Sequence, residues 1–409
     1  MVIFGYDEFI KGQPANNGFK FKDGKSPVNL GFAGYKTDHT LKDSQLQSLK
    51  ENFVPLHRHH NEQLLGHFDI SIQKVSEILE PYYYVIDIYP HDFWSDPEAK
   101  YPIISDQAIT HIKNKKAKIL VLFPTEGLYP HNDVSGVLNT WAANYGLPHR
   151  SIVLVSGNYA FGDNVERDKC ITYIPFTIWE HVFRKFYNIK VKYQLIEAIK
   201  EKKDREKVFL NYNRRARYPR CKLVYELERS GLIDKGFVSL GEYIDYDSRK
   251  HLPTDFLNKL PITFDDTDLE VNHAGELIHE DFLNSYVSLV SETDVFEGTM
   301  FPTEKIFKAI VGMHPFVLLG SPGFLRKLRE FGYQTFSRWF DESYDDETNL
   351  HRRIDMVIGE IRKLTLKTDE ELKDMLVEMF PVLQHNLDTF LRRTKEKTFQ
   401  EELEAELWK

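Results

Sequence analysis

Short, unbroken apolar runs recur along the chain, separated by charged stretches with a helical pattern. Val85-Ile86-Asp87-Ile88-Tyr89, Ile119-Leu120-Val121-Leu122-Phe123 and Ile152-Val153-Leu154-Val155-Ser156 read as strands, and Cys170 to Ile174 adds one more. The runs are continuous rather than alternating, which fits parallel strands covered by helices on both faces. Tyr187 to Lys207 reads as a helix ending in a solvated charged run that suits a domain link. A second series follows: Val208 to Asn211, Phe237 to Leu240, Tyr286 to Val290 and Phe316 to Leu319. Helical patterns between these runs are what a parallel α/β sheet requires. The first ~60 residues are rich in Gly, Asn and Lys, and predict turns, short strands and a loop. Asn349 to Lys409 reads as helices without a strand. The pattern predicts an α/β fold with domains at 1–200 and 205–345 and a helical extension at 346–409.

Composition narrows the function. The 409 residues suffice for two domains. The net charge of −9 argues against broad wrapping of nucleic acid but leaves room for a local basic groove. Cys170 and Cys221 lie far apart without CxxC spacing and read as free thiols of a reducing compartment. No apolar run approaches the ~18–20 residues that span a bilayer. Met1 to Asp7 lacks the basic and apolar segments of a signal peptide. The expected location is the cytoplasm of a bacterium or of an infected host cell. Dinucleotide, Walker, Gly-x-Ser-x-Gly and zinc-spacing motifs are all missing from the sequence.

Two stretches carry candidate chemistry. In Met300-Phe301-Pro302-Thr303-Glu304-Lys305-Ile306-Phe307-Lys308-Ala309-Ile310, Thr303 suits an N-cap and Ile306, Phe307, Ile310 and Val311 make one apolar face. A helix start offers free N–H groups and partial positive charge to a phosphate. Lys305 adds a full charge where acidic residues are favoured, a mismatch that an anion would remove, and Glu304 could accept from ribose hydroxyls. The same triplet could merely cap an ordinary helix. Asn211-Tyr212-Asn213-Arg214-Arg215-Ala216-Arg217-Tyr218-Pro219-Arg220 follows directly on a strand. It places four arginines at a C-terminal strand end, where open α/β sheets bind ligands. Arginine suits bidentate phosphate contact, although a solvated surface cluster would read the same way.

The run Phe301 to Phe307, then Gly312 and Pro315 to Pro322, resembles the donor-binding segment of the α1,3-fucosyltransferase family. Leu289-Val290-Ser291-Glu292-Thr293 is similar to that family's Ser-Phe-Glu-Asn strand end. Val208 to about Tyr344 also resembles glycosyltransferase-like proteins of large phages, sharing Asn-Arg-Arg-x-Arg, a Thr-Glu-Lys helix and Phe-Asp-Glu-Ser-Tyr-Asp, here Phe340 to Asp345. The resemblance covers about a third of the chain. It implies a GT-B arrangement of two Rossmann-like domains, with the nucleotide-sugar donor in the second. Lys305 and one arginine, Arg214 or Arg217, would meet the diphosphate, with Arg215, Arg220 and Thr303 beside them and Glu292 and Glu304 near the nucleoside or sugar. No metal or other cofactor is then needed, because the cations themselves neutralise the leaving nucleotide. The retaining GT-B signature has two Glu eight positions apart. Glu297 and Glu304 stand seven apart, so inversion is expected.

An inverting transferase needs a base for the acceptor hydroxyl. Glu126, just after the Ile119–Phe123 run, is the candidate, with His131 and Asp133 beyond it. Asn158 and Tyr159 follow the next strand as acceptor-side residues, and Asp92 is a further carboxylate. Any of these could be a plain loop residue. His57-Arg58-His59-His60-Asn61-Glu62, with His67, invites a metal, but adjacent histidines cannot share a face, so a loop reaching substrate is expected. Asp266-Thr267-Asp268 is a DxD triplet without the rest of a metal-dependent transferase fold. The acceptor is a glycan or, in an alternative drawn from the phage resemblance, a hydroxymethylated DNA base in a bacteriophage DNA-modification system. That alternative needs base flipping and a basic rim, for which Lys113, Lys115, Lys116, Lys118 and His57 to His60 are candidates. A non-catalytic interaction protein on the same fold is the third reading.

Overall fold

In the computed structural model the unbroken apolar runs become the centres of two parallel sheets flanked by helices. Residues 1–6, 19–21, 53–55, 68–87, 105–123, 134–160, 170–184, 189–242, 244–264 and 279–409 are described. The chain divides into two units, Met1–Ile178 with Lys397–Lys409, and Trp179–Glu396.

The first unit contributes β1 (Val2–Tyr6), β2 (Phe19–Phe21), β3 (Phe53–Pro55), β4 (Ile70–Lys74), β5 (Tyr82–Asp87), β6 (Ala117–Phe123), β7 (Ile152–Ser156) and β8 (Ile171–Pro175). Its main sheet runs β4-β1-β5-β6-β7-β8, parallel throughout, while β2 and β3 form a separate antiparallel pair. The helices Asp106–Lys113 and Val134–Tyr145 bury Ala108 with Ile112, and Leu138 with Ala142. This i, i+4 spacing lays one apolar stripe on Tyr82, Tyr84, Ile119, Val121 and Leu154. The opening residues, expected to hold turns, short strands and a loop, supply a five-residue strand between β4 and β5 of the main sheet. Gly5 hides that strand in the sequence. It is needed because a Cβ there would lie 2.4 Å from the Tyr82 ring.

The terminal helix, Thr398–Leu407, belongs to this first unit. Phe399 stacks on Phe176 at 4.0 Å between ring centroids and meets Phe68 edge-on at 5.4 Å. The N-terminal ammonium pairs with Glu404 at 2.7 Å, and the Tyr83 hydroxyl donates to the Leu403 carbonyl at 2.7 Å. Glu406 is buried and accepts from Lys118 and Arg150, each at 2.9 Å, and from Thr172 at 3.1 Å.

The second unit contributes β9 (Lys207–Asn213), β10 (Gly236–Leu240), β11 (Ser285–Ser291) and β12 (Phe316–Leu319), parallel in the order β10-β9-β11-β12. From β9 the chain moves outward to β10, then returns to the opposite side of β9 as β11. The switch in direction falls between β9 and β11, where open α/β sheets leave a crevice at the carboxyl ends. Helices Leu350–Thr365 and Asp369–Arg393 complete this unit, the latter with a Thr368/Glu371 capping box. Phe340 to Asp345 is architectural here. Asp345 accepts from the Leu325 and Arg326 N–H groups at 2.8 and 3.1 Å, and Glu342 accepts from Phe336 N–H at 2.6 Å.

Glu406→Ala would leave Lys118 largely buried without its counter-charge, so stability should fall by about 3 kcal/mol in denaturant titration. Burial raises the Glu406 carboxyl, but Lys118, Arg150 and Thr172 outweigh it and hold the group below its ordinary 4.5. The paired carboxylate therefore stabilises above pH ~4.5 and loses that contribution as pH falls through the lower, folded value. Glu406→Gln should flatten this acid limb. An unchanged limb would contradict the assignment.

Candidate functional site

The site is assembled at the carboxyl end of the second sheet. β9 ends at Asn213, whose carbonyl accepts from Gly241 N–H at 2.9 Å. The next carbonyl, Arg214 O, lies 1.9 Å from where a Cβ on residue 241 would stand, so only glycine fits there. Asn213 Nδ2 donates to Asn211 Oδ1 at 2.6 Å. Asn211 Nδ2 donates to Leu289 O at 2.6 Å and Ser291 Oγ at 3.2 Å, lacing β9 to β11 at the switch.

Arg214 and Arg215 are exposed, Arg217 is half-buried, and Arg220 is buried in the first turn of the Tyr218–Arg229 helix. Arg220 Nη2 donates to Thr293 Oγ1 at 3.1 Å. From the other side Lys305 Nζ donates to the same hydroxyl at 3.2 Å, to Thr303 Oγ1 at 3.0 Å and to Glu304 Oε1 at 2.6 Å. One threonine hydroxyl is thus shared by two cations from different elements. Sequence reasoning favoured Arg214 or Arg217 for the diphosphate. The structure puts Arg220 and Lys305 on one hydroxyl, with half-buried Arg217 close enough to act on Arg220.

Thr303 is the N-cap of the Glu304–Val311 helix and accepts from Lys305 N–H at 3.4 Å. Its own N–H and hydroxyl donate to the two Glu292 oxygens. Burial raises the Glu292 carboxyl, with the Lys305 ammonium and Thr303 opposing. Burial would also raise Glu304, but Lys305 and then Lys308 pull it down to about 2. Burial lowers Arg220 to about 10, against the Glu304, Glu292 and Asp294 carboxylates and with Arg217, so it stays cationic at neutral pH. Two cations drawn to one hydroxyl repel each other, a cost the neighbouring carboxylates offset. Arg220 Nε and Asn213 Oδ1 are buried without a hydrogen-bond partner among the described residues. A group left so costs about 1–3 kcal/mol, which an incoming polar ligand or water would recover.

Thr293 was quoted in the sequence without a role, and its place directly after the Ser291-Glu292 strand end is the signal that could have found it. Asn158 and Tyr159 follow β7, as expected. Asn158 Oδ1 accepts from Ala160 N–H at 3.0 Å, and the Tyr159 hydroxyl accepts from Thr177 N–H at 3.4 Å. Glu126, His131, Asp133, Asp92, His57 to His60, Glu62, His67 and Asp266 to Asp268 lie outside the described residues. Among the described residues no group of three or more His, Cys, Asp or Glu is placed to hold a metal ion. Among them, too, no helix is long and apolar enough to cross a membrane. Lys113, Lys115, Lys116 and Lys118 lie before or at the start of β6, the opposite end from the carboxyl edge. Lys116 donates to Ile78 O at 2.6 Å and Lys118 to Glu406 at 2.9 Å, while Lys113 and Lys115 are exposed.

No protein-family model matches the chain, and no curated protein matches it. Two solved structures of an α1,3-fucosyltransferase, one with GDP-fucose, align with it. Each covers 87% of this chain and 88% of its own at 11% identity and a TM-score of 0.38. At that depth the likeness carries no functional inference.

The Glu304 carboxyl should titrate near 2 by carboxyl-detected NMR and shift upward in Lys305→Met, where burial is no longer outweighed. Its contribution to stability is present above the ordinary 4.5 and vanishes as pH falls toward about 2. An unmoved value in the variant would separate Glu304 from Lys305.

Proposed function

We propose that this chain is a glycosyltransferase of GT-B type that moves a sugar from a nucleotide-sugar donor to an acceptor hydroxyl, with inversion and without a metal. The observation that carries the reading is the pair Arg220 and Lys305 on the Thr293 hydroxyl at the switch between β9 and β11. A hydroxyl is a weak partner for two cations. A diphosphate offers each a charge-assisted bond, about twice as strong as a neutral one. The resemblance of Phe301 to Phe307 to a fucosyltransferase donor segment supports the same placement.

In the reaction the acceptor oxygen attacks the anomeric carbon and the new glycosidic C–O bond forms. The bond from that carbon to the β-phosphate oxygen breaks, and its electron pair stays on the nucleoside diphosphate. Arg220 and Lys305 stabilise the charge that develops there without a metal, acting as preorganised donors. Glu304, ionised beside Lys305, accepts a sugar or ribose hydroxyl. Glu292, its carboxyl raised by burial, holds the Thr303 cap and so the start of the lysine-bearing helix. The acceptor proton passes to a general base, for which Glu126 remains the nominee. The acceptor is a glycan or another hydroxyl-bearing molecule.

Nucleoside diphosphates should bind in the presence of EDTA, as read by calorimetry. Lys305→Ala should weaken that binding about 10- to 100-fold, the worth of a charge-assisted hydrogen bond. Its circular dichroism should stay close to wild type, with melting lowered by the loss of the Glu304 counter-charge. Equal affinity in the two proteins would remove the donor site from this position.

A further inference from the structure

Resting on the nucleotide site proposed above, we propose that Tyr218, His251 and His351 form the platform that recognises the nucleobase. These rings come from three helices. Tyr218 opens Tyr218–Arg229, His251 closes Tyr246–His251, and His351 stands in the first turn of Leu350–Thr365. The Tyr218 ring lies 5.5 Å from His251 and 6.0 Å from His351 between centroids, and its hydroxyl is 3.4 Å from His351 Nε2. Both imidazoles are exposed and the phenol is half-buried. The cluster therefore presents ring faces and polar ring edges to solvent, two residues along the chain from the Arg220 that meets Lys305.

Hydrogen bonds order this surface and tie it to the loop of the cationic site. The Asp245 carboxylate accepts from Tyr218 N–H at 2.9 Å and from Ser248 N–H at 2.8 Å, fixing two ring-bearing helices to each other. On the third helix, buried Arg353 donates to Val295 O in the loop that begins with Thr293. The rings are thus positioned relative to both cations by buried or partly buried bonds, not by their own packing alone. Stacking on Tyr or His with hydrogen bonds to the ring edge is how proteins hold unstacked bases. Burial pushes the Tyr218 phenol above its ordinary value, with Asp247 adding and Lys222 opposing, so it remains a neutral donor at physiological pH. A planar heterocycle on a diphosphate uses both the rings and the cations.

The test compares inorganic pyrophosphate with ADP, CDP, GDP, UDP and TDP by calorimetry on wild type, Tyr218→Ala, Tyr218→Phe and His351→Ala. In wild type, at least one nucleoside diphosphate should bind more tightly than pyrophosphate. Tyr218→Ala should cut that nucleotide's affinity about tenfold while pyrophosphate stays within about twofold, since only the base stacks on the ring. His351→Ala should act in the same direction, and Tyr218→Phe should retain most of the affinity. Equal loss for pyrophosphate and nucleotide in Tyr218→Ala would make the ring merely structural and overturn the proposal. So would an unchanged nucleotide affinity. Wild type that binds pyrophosphate with no gain from any base would also overturn it while leaving the phosphate site standing. If wild type bound neither, the nucleotide reading itself would fall.

Discussion

The sharing of one threonine hydroxyl by a buried guanidinium and an ammonium is the interaction on which the site depends. Two like charges do not settle around a neutral group without cause. Here the cause lies in three carboxylates, Glu292, Glu304 and Asp294, and in the sheet order that brings the start of the Tyr218–Arg229 helix opposite the end of β11. The parallel order β10-β9-β11-β12 places the switch, the switch opens the crevice, and the crevice admits Arg220 from one side and Lys305 from the other.

The surrounding structure is built to keep that arrangement still. Gly241 gives way to the Arg214 carbonyl so that the arginine-bearing turn can pass over β10. In the loop after Thr293, three successive carbonyls are clamped. Asp294 O accepts from Ser321 Oγ at 3.2 Å, Val295 O from Arg353, and Phe296 O from Thr299 Oγ1 at 2.8 Å. Fixed donors aimed at a developing charge need no reorganisation when the bond breaks, and electrostatic catalysis draws most of its effect from this. In the first unit the same economy of buried charge appears at Glu406, where a single carboxylate ties the terminal helix to Lys118, Arg150 and Thr172.

Much of this was legible in the chain. β7 and β12 match their apolar runs residue for residue, because strands buried on both faces have no polar positions to blur their ends. Thr303 does cap its helix. β1 and β4 were not legible. Gly5 interrupts β1, and Ser71, Gln73 and Lys74 interrupt β4, so neither shows the unbroken apolar run that marks β7 and β12. Among the arginines, type and region could be read but not direction. Whether Arg214, Arg217 or Arg220 turns inward depends on where the strand ends and the helix starts, and an error of one residue reassigns the face. Thr293 could be marked by its place after the strand end but not as a shared partner, because Arg220 and Lys305 are distant from it in sequence.

The most direct measurement of the central claim is a crystal structure of the chain with a nucleoside diphosphate bound. The account places oxygens of one diphosphate within hydrogen-bond distance of both Arg220 Nη2 and Lys305 Nζ, with the Thr293 hydroxyl no longer their only common partner. A diphosphate held elsewhere, with both cations still gathered on Thr293, would contradict it.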